Sequence, residues 1–169
     1  MKRFVGIACA LALAGCAGLA PAASRQASGW AGAWGASPTI PPSGGKSFEN
    51  QTVRQVVRLS TGGTAVRIRF TNEYGDKPLE IGAATVAIAG ADGKPTGEFR
   101  TLTFGNAPSV TIPAGAPLLS DPVTLDVKAL ESLSISIFLP TATGPCTCHF
   151  AGTATAYISG PGNFTQATF

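Results

Sequence analysis

From Gly29 onward, apolar and polar residues alternate in short runs, and Gly, Pro, Asn and Asp separate the runs. Period-two alternation puts every second side chain on one face of an extended strand, so each run predicts a half-buried β-strand. Over 52–60, Val53, Val57 and Leu59 share a face with Gln55, while Arg54 and Arg58 point the other way. Over 64–71, Val66, Ile68 and Phe70 share a face opposed by Arg67 and Arg69. Gly62 and Gly63 lie between these runs, and both accept the positive φ of a two-residue hairpin turn. That register pairs Leu59 with Val66 and Val57 with Ile68. It also sets Arg58 opposite Arg67, an unfavourable like-charge pair that needs a carboxylate, water or a partner to relieve it. Further strands are expected over 81–89, 100–104, 109–112, 123–127, 133–139 and 153–158. Turn signals fall at 72–76, 90–93, 113–115 and 140–145. The longest helical candidate, near Lys128–Leu133, is only about one turn long. Short strands, regular turns and no internal repeat predict an all-β fold, an antiparallel β-sandwich that is jelly-roll-like, over 29–160.

The first residues break this pattern. Met1-Lys2-Arg3 is a short basic start, Phe4 to Leu13 is apolar and small, and Leu13-Ala14-Gly15-Cys16 follows. This arrangement resembles the lipobox of bacterial lipoproteins, which implies a signal peptide over 1–15, cleavage before Cys16 and lipid attachment at its thiol. Ordinary secretion, with cleavage after Ala20-Pro21-Ala22, is the alternative. Ala17 lacks the Asp associated with inner-membrane retention, so the expected place is the outer membrane or periplasm. A lipid anchor rather than a spanning helix would then hold the protein, since no apolar run reaches the ~18 residues of a transmembrane helix. Residues 16–28, rich in Ala and without periodicity, read as a flexible tether.

Composition narrows the partners. The 169 residues are 44% hydrophobic and only 12% charged, with 21 Gly and 13 Pro, which suits a turn-rich single domain with a real core. Of the 12 Lys and Arg, Lys2 and Arg3 leave with the leader, so the mature chain carries ten against nine acidic residues. A near-neutral chain without a basic cluster argues against nucleic acid.

Candidate chemistry is sparse. His149 is the one histidine, so any Ser-His-Asp machine would have to use it; a strand residue with a satisfied ring is the plainer role. There is no Gly-x-Ser-x-Gly elbow, no Gly-Asp-Ser block, no phosphate-binding glycine loop and no obvious carboxylate pair. No cofactor or metal is called for. Pro145-Cys146-Thr147-Cys148-His149 is one residue short of the haem-attachment spacing. In a strand, Cys146 and Cys148 share a face with Cα atoms about 6.6 Å apart, near the limit for a disulfide. Oxidised pair and packed thiols both stay open. Trp30 and Trp34 share strand parity, as a sugar-stacking platform or as caps on the core. Arg54, Arg58, Arg67 and Arg69 form a stripe on one sheet face, either solvated or facing another domain.

Several segments in order then resemble a known assembly. They are Trp30–Ser37 (WAGAWGAS), Phe48–Ser60 (FENQTVRQVVRLS), Val66–Gly75 (VRIRFTNEYG) and Pro78–Ile88 (PLEIGAATVAI), continued by Leu102–Leu125, Leu133–Pro140 and His149–Thr165. Together they are similar to the N-terminal region of secreted SGNH/GDSL-type esterases, a β-sandwich that precedes the α/β/α hydrolase domain. The resemblance implies a non-catalytic accessory domain whose partner, in relatives, is that hydrolase domain in cis. The family's Gly-Asp-Ser nucleophile block, oxyanion-hole Gly and Asn, and Asp-x-x-His base have no counterpart here, so no catalytic residue carries over. Cys148 stands where relatives often carry Trp. Residues 161–169 would begin the linker to the hydrolase domain. A free-standing carbohydrate-binding lipoprotein, with polysaccharide as partner, is the alternative.

Overall fold

The computed structural model describes residues 29–149, 152 and 155–169. The chain divides into two compact units, Met1–Trp30 and Ala31–Phe169, and of the first only Gly29 and Trp30 are described. The expected leader over 1–15, Cys16 and the tether over 16–28 lie outside the described residues.

The second unit is all-β. Its strands are β1 (Gln51–Arg58), β2 (Gly63–Val66), β3 (Arg69–Thr71), β4 (Leu79–Ile81), β5 (Ala83–Ala89), β6 (Pro95–Thr101), β7 (Val110–Ile112), β8 (Pro117–Leu119), β9 (Val123–Val127), β10 (Ser132–Leu139) and β11 (Ala156–Pro161). One five-stranded sheet runs in the order β11-β1-β10-β5-β6, and three two-stranded ribbons pair β2 with β9, β3 with β8 and β4 with β7. Every pairing is antiparallel. The pairs are nested, from β1 with β10 inward to β5 with β6. Nesting of this kind is one long antiparallel ribbon folded over on itself, the winding of a jelly roll, and it gives the expected β-sandwich.

The alternating pattern places the core. Val53 and Val57 of β1, Val86 of β5 and Leu133 and Leu139 of β10 face Phe70, Ile81, Ile112 and Val127 from the ribbons. Phe70 meets Phe104 edge to face, with ring centroids 5.7 Å apart. Each such side chain, taken from water to full burial, contributes about 1.5–3 kcal/mol.

The expected hairpin between 52–60 and 64–71 does not form. β1 pairs with β10 and β11, while β2 pairs with β9. Neither Gly62 nor Gly63 has a positive φ. Gly62 serves a different need: a Cβ there would lie 2.6 Å from the Val127 carbonyl oxygen, so only glycine lets the chain pass this close to β9 as it crosses from the sheet to the ribbons. Arg58 therefore sits opposite Ser132, and the anticipated clash with Arg67 does not arise. The run 64–71 is itself interrupted at Arg67 and Ile68. Ser120 holds the break: its hydroxyl accepts from the Ile68 N–H at 3.0 Å and its N–H donates to the Ile68 carbonyl at 2.9 Å. The expected strand over 81–89 is likewise split at Gly82, where a Cβ would lie 3.0 Å from the Phe138 ring.

The sheet face turned away from the core is polar and mostly buried. One cross-strand row runs Tyr157, Arg54, Ser136, Thr85, Thr101 through all five strands. Residues 162–169 are fastened across this face. The Thr52 hydroxyl donates to the Gly162 carbonyl at 3.0 Å and accepts from the Phe164 N–H at 2.8 Å. The Thr85 hydroxyl donates to the Thr165 carbonyl at 2.7 Å.

Candidate functional site

The segment 145–149 is a loop that touches the sandwich through the backbone of Cys148, bridged to Thr39. Cys146 and Cys148 form a disulfide with Cα atoms 5.6 Å apart, closer than an extended strand would hold them. Around it, the Thr39 N–H donates to the Cys148 carbonyl at 2.7 Å, the Cys146 N–H to the Lys46 carbonyl at 3.0 Å, and the Tyr74 N–H to the Thr147 hydroxyl at 3.0 Å. His149 is exposed, and its Nδ1 lies 2.9 Å from the Ser37 carbonyl oxygen. That contact assigns Nδ1 the proton and leaves Nε2 the basic nitrogen, with no hydroxyl or thiol bonded to it among the described residues. Among the described residues no group of three or more His, Cys, Asp or Glu side chains could hold a metal ion.

The four arginines do not form a stripe. Arg54, at the middle of β1, is 1% exposed. Its Nε donates to the Ser136 hydroxyl at 2.7 Å, and its Nη2 to the Phe164 and Ala167 carbonyls at 3.3 and 2.5 Å. Its guanidinium carbon lies 4.2 Å from the Phe169 ring centroid. Burial without a carboxylate disfavours the charged form, so its pKa is lowered. In place of a carboxylate, backbone carbonyls, a serine hydroxyl and an aromatic face surround the guanidinium. Arg54 Nη1 and Ser134 Oγ on the same face are buried without a hydrogen-bond partner.

The other three are exposed and point to separate neighbours. Arg58 Nε donates to the Leu130 carbonyl at 3.2 Å. Arg67 Nε donates to the Ser120 carbonyl at 3.0 Å, and Arg69 pairs with Glu73 at 3.1 Å. The stripe required β1 and the 64–71 run to be neighbours in one sheet. The crossover at Gly62 removes that condition.

Trp34 is not a cap on the core. Trp34 is 56% exposed and Trp30, in the other unit, 59%. Residues 30–38 are not in a strand, so parity does not govern where these rings point. Trp34 lines a shallow surface groove with Gly32, Ala33, Gly35, Arg58 and Ser60. The groove exists because the Ser60 N–H and hydroxyl both donate to the Ala33 carbonyl, at 2.7 and 2.9 Å, tying the segment around Trp34 to the end of β1.

One feature outside the sequence expectations is a carboxylate clamp. Asp121 accepts from the Asn106 N–H at 2.7 Å, the Thr103 hydroxyl at 2.8 Å and the Gly105 N–H at 3.0 Å. Gly105 and Asn106 both have positive φ, 60° and 68°, closing a tight turn in which Phe104 and Ala107 bond each other. The Gly-Asn dipeptide was the available signal for this turn.

Compared with known proteins, the chain matches no family model and no curated protein.

Proposed function

We propose that this chain is a non-catalytic β-sandwich accessory domain of an exported SGNH/GDSL-type ester hydrolase, held at the cell envelope through lipid on Cys16. Three things support the reading. The quoted segments from Trp30 to Thr165 follow the family's order. The jelly-roll winding is an architecture of the expected kind. The carrying observation is His149: its one ring hydrogen bond among the described residues is from Nδ1 to the Ser37 backbone carbonyl, and no hydroxyl or thiol is bonded to Nε2, the nitrogen that would act as base. Ester hydrolysis needs a positioned nucleophile, a base and oxyanion donors together.

The test is turnover of p-nitrophenyl acetate by the purified chain. The expected result is no hydrolysis above buffer; turnover abolished by His149→Ala would overturn the reading. The accessory role is checked in the gene, where an in-frame Gly-Asp-Ser block downstream of the Phe169 codon is expected and its absence counts against the role. For the anchor, the mass of the mature N-terminus should include acyl chains on Cys16. A free N-terminal residue beyond Cys16 would remove the anchor.

A second reading, a carbohydrate-binding sandwich, is favoured by one observation, the exposed indole of Trp34 beside the groove at the end of β1. Aromatic faces stack on the apolar faces of sugar rings, and a ring spent on core packing is not available for this.

A further inference from the structure

The groove at Trp34 carries an inference that rests on this second reading and gives it a ligand class. Its walls are chemically uneven. Trp34 presents an indole that is 56% exposed, and its N–H has no hydrogen-bond partner among the described residues. Across the groove stands Arg58, which has no carboxylate within ion-pair distance among the described residues, whereas Arg69, Lys94 and Arg100 are paired with Glu73, Asp92 and Glu98.

Arg58 is also held in place. Its Nε is bonded to the carbonyl of Leu130, a residue in the left-handed region at φ 66°, whose N–H donates in turn to the Leu59 carbonyl at 2.9 Å. A leucine rarely adopts this backbone, so the turn that presents its carbonyl to Arg58 is a specified feature. The terminal nitrogens Nη1 and Nη2 are left without a partner among the described residues. A guanidinium fixed through Nε with its outer fork unused matches a carboxylate in bidentate geometry.

The openness of the groove bears on the kind of ligand. Gly32 and Gly35 line the groove, and a Cβ at either would meet nothing within 4 Å. The groove is open to solvent on its outer side. A small molecule is normally enclosed over most of its surface, which this groove does not do. A polymer lying across it needs only one ring and one charge to engage. We propose that Trp34, Arg58 and Ser60 form a binding site for an acidic polysaccharide of the uronate class. The indole stacks on one sugar ring, Arg58 pairs with a ring carboxylate, and the Ser60 hydroxyl oxygen accepts from a sugar hydroxyl.

The experiment uses the full chain with polygalacturonate and its fully methyl-esterified form, which has the same backbone without the charge, in affinity electrophoresis and tryptophan fluorescence titration. Binding to polygalacturonate that weakens with salt is expected, with binding to the ester about tenfold or more weaker. Trp34→Ala and Arg58→Gln should each weaken polygalacturonate binding about tenfold. Arg69→Gln, on a paired arginine elsewhere, should leave it unchanged. Both site residues are exposed, so unchanged circular dichroism is the check that the variants fold. Equal binding of the two polymers would overturn the uronate assignment and leave the carbohydrate reading standing. Binding to neither would overturn both. Binding that survives Trp34→Ala and Arg58→Gln would place it elsewhere and overturn the site.

Discussion

Asp121 shows how a single side chain holds a tight turn in place. The Asn106 amide is the largest of the influences that hold its carboxyl below the usual range, followed by the Thr103 hydroxyl, the Gly105 amide and the Arg67 charge. Glu73 is lowered in the same sense, first by the Thr71 hydroxyl and then by Arg69. For a carboxylate whose folded pKa is depressed, the stabilisation is present above the unfolded pKa, about 3.9 for Asp, and is lost as pH falls through the lower folded value. The thermal midpoint should therefore fall on acidification from about pH 5 to about pH 2. Asp121→Asn should melt lower than the parent at neutral pH and converge with it at the acid end. Midpoints measured across that range check this; parallel curves would remove Asp121 from the acid response.

At the scale of elements, the segment 162–169 behaves as a strap over the polar face of the sheet, and Arg54 is its principal fastening. Charged hydrogen bonds contribute about 1.5–3 kcal/mol each, and an unpartnered buried nitrogen takes back about 1–3 kcal/mol. Arg54→Met, which keeps the stem and removes the fork, is expected to lower stability by about 2–4 kcal/mol and to raise hydrogen exchange at 163–167 before the rest of the sheet. Urea midpoints and residue-resolved exchange read the two effects separately. This strap also marks the limit of what the sequence made legible. The alternation of Leu133, Ile135 and Ile137 with Ser134 and Ser136 predicts β10 and its core face, and both are found. What covers the serines was not legible, since period-two patterning says which way a side chain faces and not whether that side is wet. The hairpin at Gly62–Gly63 failed for a related reason. Two glycines permit a turn and equally permit a close backbone pass, and only the position of β9 decides between them.

At the scale of the whole molecule, the disulfide is a local clip. It joins residues only two apart in sequence. On the chain-entropy account, closing so short a loop stabilises by about 1–2 kcal/mol. Reduction should lower the melting temperature only slightly, preserve the far-ultraviolet spectrum and raise protease sensitivity around Ser37–Lys46, which is bonded to the clipped loop. Thiol labelling with and without reductant confirms the change of state. Of the candidate site, the residue types were legible and their grouping was not. Trp34 and Arg58 were each singled out for other partnerships, and the Ser60–Ala33 and Leu130–Arg58 hydrogen bonds that bring them together join segments far apart in the chain.

The nested pairing has a consequence for how the chain is made. A ribosome delivers β1 long before either of its neighbours, β10 and β11, exists. The first strand then stays an open edge through most of synthesis, and closing so distant a partnership is slow. Maturation therefore depends on late-arriving residues. A nascent polypeptide stopped before Ser132 should stay accessible to holding chaperones, and one extended past Pro161 should escape them.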